Sequence, residues 1–508
     1  MKLLSVDQMK ALDAYNIEKE GGSSLELMER ASRAVVDEIV TLLPSTNTRI
    51  VVFAGSGNNG GDGLAIARQL GRGGYKVEVY LLNTLHALSD NCQQNKKRLE
   101  ESKNVVLHEI TAQLDLPQLD SDDWIIDAIF GIGLNRQLTG GYKQLVEFIN
   151  KSGNKVVAVD MPSGMIGVSQ SDGDEEEEVV AVKADYTFTF HCMKPRMLLS
   201  DSQQYLGEIK VLDIGLDDSH IDYSSNRFTI TGQQEAQAML KPRDEYGNKG
   251  TFGYGLLLAG SRGMAGAAML AGRAAYRSGL GKLCVHTAGA NLPVLQAALP
   301  EAIVEPDKNE KFISEHCCNN NNYAAVAVGP GLGQNAESEE MFLSLLKHCK
   351  KPLIIDADGL NILAKQNNWA QLLPKGTILT PHPKEWGRLI NKAVNSTAQV
   401  HLAMECCQKH GIYIVLKGHY TAVCTPEGRV FFNTSGNSGM ATAGSGDALT
   451  GILLALRCQG YSAEVACRLG VWIHGYAGEC ASQELTEYSV VTSDIINNLG
   501  KAFKSLIN

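Results

Sequence analysis

Two glycine-rich strings stand where a phosphate or another anion could be gripped by bare backbone. Gly55-Ser56-Gly57-Asn58-Asn59-Gly60-Gly61-Asp62-Gly63 lies between a strand-like and a helix-like run, and Gly436 to Asp447 precedes the helical run Ala448 to Leu456. Glycine lets amide N–H groups approach a ligand, and a helix N-terminus adds partial positive charge. Asn58, Asn59 and Asp62 thicken the first string with oxygen ligands that a plain dinucleotide turn does not require. In the second, Asp447 falls at the helix N-terminus, where the dipole favours its charged form and lets it take a proton from a ligand hydroxyl. An N-capping role for Asp447 is the competing reading. No G-x-x-x-x-G-K-[ST] string occurs, which sets a P-loop aside.

Further acids follow strand-like runs. Ile125-Ile126-Asp127 leads into Phe130 to Arg136, and Ala158-Val159-Asp160 into Met161-Pro162-Ser163-Gly164. In a parallel sheet such ends share one rim, so Asn59, Asp62, Asp127, Asp160 and Ser163 are expected to converge on one crevice. With Arg136 as its one obvious cation, the crevice suits a metal ion better than a basic phosphate clamp. Asp160 is the candidate acid and base on a hydroxyl group. Taken singly, each aspartate could merely cap a helix. The second half has its own rim loops: Ala259 to Ala267, Gly329 to Gly333, Asp356 to Asn361, Thr380 to Glu385 and Lys417 to Thr421. His382 stands between two prolines, which hold it in extended backbone and aim it. Lys417 reads either as a cleft cation or as a solvated charge.

The elements that must position these residues alternate in type. Helical spacing covers Val6 to about Leu43. Strands are predicted at 49–54, 77–82, 124–129 and 155–159, with helices between, one of them starting at Gly63. Strands at 186–190 and 208–212 close the unit. The acidic stretch 171–178 reads as a solvated loop, and a polar, non-periodic stretch at 217–226 marks a boundary. After a poorly periodic lead-in, strands are predicted at 255–259, 283–287, 324–328, 352–356, 377–380 and 412–416. A hairpin follows, 421–424 with 429–433, and then a long helical region from Asp447. Alternation in the first half predicts a parallel sheet with helices on both faces, and the second half reads as a second α/β domain that does not repeat the first.

Composition agrees. The 508 residues are 44% hydrophobic and include 51 glycines, enough for more than one core with many strand-to-helix turns. A net charge of -10 without a basic stripe argues against nucleic acid. No stretch has the apolar length of a signal sequence or membrane span, which predicts a cytoplasmic protein that does not engage membranes. Twelve cysteines, scattered as singles and the pairs Cys317/Cys318 and Cys406/Cys407, show no C-x-x-C and read as reduced thiols.

G-S-G-N-N-G-G-D-G, D-A-I-F-G-I-G-L-N-R and V-D-M-P-S-G resemble the motifs of NAD(P)H-hydrate epimerases, and the likeness covers nearly all of residues 1–218. It implies a Rossmann-like domain in which Asn58, Asn59, Gly60, Gly61, Asp62, Gly131, Ile132, Gly133, Leu134, Asn135, Arg136, Gln137 and Asp160 face the hydrated cofactor. Asn59, Asp127 and Ser163 would hold a potassium ion. T-P-H-P-K-E, L-K-G-H-Y-T and G-M-A-T-A-G-S-G-D resemble the NAD(P)H-hydrate dehydratases, which have a ribokinase-like fold. That second likeness places a dehydratase domain at 227–508. It implies that Ala267, Gly331, His382 and Asp447 contact the hydrate, that Lys417, Gly418, His419, Tyr420, Thr421 and Gly446 hold the nucleotide, and that Asp447 is the catalytic base. Expected small molecules are the hydrates of NADH and NADPH, with ADP and Mg²⁺. Ser438 and Ala443 depart from the proline and glycine usual in the dehydratase loop, so a change in nucleotide affinity or preference is expected from them. The rival readings are a small-molecule kinase, which leaves the first half unexplained, and a non-catalytic nucleotide-binding scaffold. Self-association into a homo-oligomer is expected from the apolar helices such folds leave over.

Overall fold

The computed structural model describes all residues but 1, 2, 5, 85, 103, 114, 167–178, 222–225, 317–321, 393–394 and 508. The acidic stretch 171–178 and the Cys317/Cys318 pair thus lie outside the described residues. Two compact units divide between Asn226 and Arg227.

Seven strands build the N-terminal sheet: β1 (Arg49–Ala54), β2 (Lys76–Leu82), β3 (Val105–Ile110), β4 (Trp124–Ala128), β5 (Lys155–Val159), β6 (Tyr186–Phe190) and β7 (Glu208–Leu212). Every pairing is parallel, in the order β3-β2-β1-β4-β5-β6-β7. Ile50, Val52 and Ala54 of β1 join one core cluster and Val51 and Phe53 the other, so both faces are covered. Sequence patterning did not reveal β3. It is the edge strand, and V-V-L-H-E-I is mostly half-buried, so the apolar run that marks a buried parallel strand is missing.

Helices Val6–Glu20 and Ser24–Leu42 precede the sheet. The second opens with a capping box: Glu26 N–H donates to Ser23 Oγ at 3.3 Å, and Ser23 N–H donates to Glu26 Oε2 at 2.7 Å. After β1 the helix begins at Asn58, earlier than the predicted Gly63, so the glycine string is itself the first helical turn. Glycine is needed there for close approach: a Cβ at Gly60 would lie 1.7 Å from Gly55 O, and one at Gly63 2.6 Å from Ala128 Cβ.

The C-terminal sheet has ten strands: β8 (Phe228–Thr231), β9 (Tyr254–Leu258), β10 (Lys282–Thr287), β11 (Ile303–Pro306), β12 (Ala325–Val328), β13 (Leu353–Ile355), β14 (Ile378–Leu379), β15 (Tyr413–Leu416), β16 (Ala422–Cys424) and β17 (Val430–Asn433). Their order is β11-β10-β9-β12-β13-β14-β15-β16-β17-β8. Pairing is parallel from β11 to β15, and antiparallel for β15/β16 and the predicted hairpin β16/β17. The two strands the sequence left unmarked, β8 and β11, are again the edges. The closing helical region starts at Ser445 and is three helices: Ser445–Cys458, Ala463–Leu485 and Thr492–Ile507.

Among the described residues no helix is long and apolar enough to cross a membrane. Ten described cysteines are free, eight of them buried. Helix Ser445–Cys458 presses on helix Ala265–Arg277 so closely that a Cβ at Gly451 would sit 2.0 Å from Ala271 O. Gly451→Ala should therefore lower the chemical-denaturation midpoint of the C-terminal unit, by about 1–3 kcal/mol of stability or more.

Candidate active sites

The N-terminal sheet reverses direction of construction between β1 and β4, and parallel sheets hold ligands at such a switch point. There the loop after β1 meets the loops after β4 and β5 around a cavity of about 690 Å³. Its lining includes Asn58, Asn59, Asp62, Gly131, Ile132, Gly133, Leu134 and Asp160. Gly60 and Gly61 lie on the adjoining helical turn, and Asn135 and Arg136 are exposed; neither they nor Gln137 line the cavity.

Two lysines reach this cavity instead, Lys10 on helix Val6–Glu20 and Lys194, just beyond β6. Lys194 Nζ lies 2.7 Å from Asp160 Oδ1 and donates to Thr189 Oγ1 at 2.6 Å and to Phe190 O at 3.0 Å. Ile132 N–H donates to Asp160 Oδ2 at 3.3 Å. These contacts hold Asp160 in left-handed backbone, φ 66°, where a residue with a Cβ is strained. One signal for Lys194 is present in the chain: H-C-M-K-P-R follows a strand that ends on the same rim.

Asp62 is buried, and its pKa is pushed well above the usual carboxylate range by burial, and secondarily by Asp160 and Asp13. Asp13, on helix Val6–Glu20, also lines the cavity, and its pKa rises to about 6, chiefly through burial and then through Asp160, against the pull of Lys194. Asp127 is fully buried behind the rim. It accepts from Ser163 N–H at 2.7 Å, Ser163 Oγ at 2.5 Å and Ile129 N–H at 3.3 Å. Burial raises its pKa to about 6, with those hydrogen bonds opposing. Nearby, both Asn59 side-chain polar atoms are buried without a hydrogen-bond partner among the described residues. The space beside Gly131 is bounded by Asp160 Oδ2 and Asn59 Oδ1, which a Cβ there would meet at 3.1 and 3.4 Å.

In the C-terminal sheet the corresponding reversal falls between β9 and β12. The loops after them are laced together: Gly260 N–H donates to Pro330 O at 2.9 Å and Ser261 N–H to Gly331 O at 2.5 Å. Gly331 packs on Ala267, so that a Cβ at Gly331 would meet Ala267 Cβ at 3.2 Å. Further along the same rim, Lys417 N–H donates to Pro381 O at 2.9 Å.

His382 is the N-cap of helix Pro383–Ile390, with extended backbone as its flanking prolines predict. Its Nδ1 accepts from Lys384 N–H at 3.1 Å and Glu385 N–H at 3.2 Å. Burial lowers its pKa, and in the neutral ring those bonds place the proton on Nε2. Lys417 is no solvated charge. Its ammonium lies 3.0 Å from Asp356 Oδ1 and 4.0 Å from Glu385 Oε2. Burial opposes that ammonium, but the two carboxylates outweigh burial and raise its pKa. Asp356 also accepts from Thr450 Oγ1 at 2.8 Å. Sequence alone places Asp356 and Glu385 in rim loops and assigns them no role.

Gly444, at φ 87°, caps helix Ser445–Cys458, so Asp447 is a first-turn residue and not the cap. With no side chain at the cap, the amides of that turn are left for a ligand. Gly446 lies over Lys417, whose Nζ a Cβ would meet at 3.3 Å. Asp447 has its pKa raised to about 7 by burial and then by Asp356, while Lys417 lowers it. Behind the turn, Ser445 Oγ lies 3.3 Å from Nε2 of His474, a buried imidazole whose pKa burial, and secondarily Lys417, push down to about 4. Gly418 and His419 are exposed, and Thr421 Oγ1 donates to Gly418 O at 3.0 Å. His419 and Tyr420 stack edge to face, 4.5 Å between ring centroids.

Residues 255–501 match the family model described as NAD(P)H-hydrate dehydratase, and residues 24–196 match that of the YjeF-related protein N-terminus. The bifunctional NAD(P)H-hydrate repair enzyme Nnr of Thermofilum pendens is 36% identical, in an alignment covering 100% of this chain and 97% of that one. The chain belongs to the bifunctional NAD(P)H-hydrate repair enzymes. The Nnr of Escherichia coli K12 is 30% identical over 93% of this chain and 88% of its own. A solved Bacillus subtilis ADP/ATP-dependent NAD(P)H-hydrate dehydratase is 32% identical, covering 55% of this chain and 98% of its own at a TM-score of 0.49. Membership makes the protein a bifunctional enzyme, an epimerase joined to a dehydratase.

Within this repair enzyme, Ala443 carries no positive φ; Gly436 and Gly444 take that demand. Ala443 O accepts from Thr492 Oγ1 at 2.7 Å, so alanine fits its place in the loop. Ser438 donates to the Glu487 carboxylate, a tie proline could not make.

Lys417→Met should strand Asp356 and Glu385 in the dehydratase half. The expected cost is about 3 kcal/mol at pH 8. Chemical denaturation of wild type and variant at pH 8 would show it.

Proposed function

We propose that the N-terminal cavity interconverts the two epimers of hydrated NADH and NADPH at Asp160, and that the C-terminal cleft dehydrates one of them with Asp447 as base. The observation that carries this reading is the placement of each aspartate. Asp160 sits at the switch-point rim of a parallel sheet, beside glycine-bounded space and 2.7 Å from the buried Lys194 ammonium, and Asp447 stands in a glycine-flanked first helical turn over Lys417.

The hydrate carries a hydroxyl on a ring carbon next to nitrogen. Protonation of that hydroxyl lets the nitrogen lone pair expel water, and return of water to the other face gives the epimer. Asp160, fixed by Lys194, Ile132 and Thr189, holds or releases the proton at its carboxylate oxygens. A potassium ion fits Asn59, Asp127 and Ser163. The unpartnered Asn59 side chain, a carboxylate and a hydroxyl form an oxygen-rich set suited to a hard cation. Bound there, it would supply positive charge to the polar end of the cavity.

In the C-terminal cleft, Asp447 removes the proton of the hydroxyl as that oxygen takes a phosphoryl group from the nucleotide. Loss of phosphate and of a neighbouring ring proton then restores the dihydronicotinamide. First-turn amides at Gly446 and Asp447 would cradle the phosphates, and Lys417 beneath Gly446 adds charge without leaving Asp356. Ala267, Gly331 and His382 would bound the hydrate, and residues 418–421 the nucleoside. ADP is the proposed co-substrate. Among the described residues no three His, Cys, Asp or Glu side chains cluster as a metal cage, so Mg²⁺ would arrive on the nucleotide phosphates. We place the enzyme in the cytoplasm, in keeping with its free thiols, and as a homo-oligomer, which light scattering would test.

A mixture of both hydrate epimers, with Mg²⁺, K⁺ and either ADP or ATP, should return fully to dihydronicotinamide absorbance. Asp447→Asn should slow dehydration by about 10²–10⁴-fold, and Asp160→Asn should leave only one epimer quickly consumed. Recovery of nothing with either nucleotide would sink the reading. Because the base must be ionised, dehydration kcat/KM should fall about tenfold per pH unit below the Asp447 pKa of about 7. Asp447 loses the help of Lys417 in Lys417→Met, so the inflection should move to higher pH in that variant.

A further inference from the structure

The N-terminal cavity holds more acid than one proton transfer needs. Asp13, Asp62 and Asp160 all line it, with Lys194 and Lys10 as its lysines. They come from separate elements: Asp13 and Lys10 from helix Val6–Glu20, Asp62 from helix Asn58–Arg72, Asp160 from beyond β5 and Lys194 from beyond β6. Lys194 is committed to Asp160 by its 2.7 Å contact.

Helix Val6–Glu20 is fastened in place on the side away from the cavity. Leu12 packs with Cys192, Asn16 Nδ2 donates to Asp217 O at 3.1 Å, and Asp217 N–H donates back to Asn16 Oδ1 at 2.7 Å. Tyr15 stacks on His220 at 3.6 Å. Met9, Lys10, Asp13, Ala14 and Ile17 then face the cavity at helical spacing. Asp13 is thus a half-buried carboxyl held toward the site by a strapped helix, next to the Asp160 and Lys194 pair.

Epimerisation at one carbon needs proton transfer on both faces of the ring. The hydroxyl that leaves must gain a proton, so that the C–O bond breaks and water departs. The water that adds to the opposite face must lose a proton as the new C–O bond forms. We propose that Asp13 is the second acid/base group of the epimerase, serving one face of the nicotinamide ring while Asp160 serves the other. One carboxyl gives a proton and the other receives one, so the pair ends a turnover with protonation exchanged and the reverse reaction restores it. No outside oxidant or co-reactant enters. A carboxyl whose pKa burial and Asp160 raise to about 6 can hold or release a proton near neutrality, which suits this role.

This inference rests on the epimerase reading above, and one experiment separates the two. Full-length wild type, Asp13→Asn, Asp13→Ser and Asp13→Glu would be given the pure epimer the dehydratase does not use, and its conversion followed with and without nucleotide. Their thermal midpoints, and dehydration of the other epimer, would be measured in parallel. Expected is a drop in epimerisation kcat of about 10²–10⁴-fold in Asp13→Asn and Asp13→Ser, KM nearly unchanged, with Asp13→Glu retaining much of the rate. The pH profile should also lose its limb near the Asp13 pKa of about 6. Wild-type kcat in Asp13→Asn, or a loss confined to KM or to thermal stability, overturns the role of Asp13 alone. Absence of epimerisation in wild type overturns both.

Discussion

In a parallel sheet every strand leaves by the same edge, so the residues after each strand are delivered to one rim whatever their separation in the chain. Both units depend on that constraint. Asn59, Asp127 with Ser163, Asp160 and Lys194 follow or end β1, β4, β5 and β6, and share one end of one sheet. Ala267, Gly331, Asp356, His382 and Lys417 follow β9, β12, β13, β14 and β15 in the same way. The price of gathering so many chain ends is space, met by glycine where a Cβ would strike backbone, as at Gly60.

A second theme is an ammonium paired with one acid while others stand near. Lys194 answers Asp160 on one rim, and Lys417 answers Asp356 and Glu385 on the other. Each leaves a further carboxyl close by and poorly hydrated, Asp13 in the first case and Asp447 in the second. Burial raises these two to about 6 and about 7. A carboxyl in open water would ionise well below neutrality. The ion pairs fix the geometry of the two rims, and the poorly hydrated carboxyls beside them can hold a proton near neutrality.

How much could be read beforehand follows from the range of the forces involved. Core strands such as V-V-F-A and L-I-I stood out because burial on both faces demands unbroken apolar runs. The edge strands β3, β8 and β11 escaped because one side faces solvent or a loop, and their burial is partial. The glycine strings announced close backbone approach but not where the helix starts. Asn58 and Ser445 begin their helices earlier than apolar periodicity shows, since the first turn of each buries backbone rather than apolar side chains.

By itself the sequence determined the α/β alternation, the two glycine turns and the acids that end the strands, because turn sterics and side-chain periodicity act over a few residues. Tertiary structure alone decided that Lys194 and not Arg136 meets Asp160, that Lys417 turns inward to Asp356, and that Asp13 enters the first cavity. Those pairings join residues far apart in the chain. They depend on which strand ends lie side by side and on how much water burial removes, and neither quantity exists until the sheets are assembled.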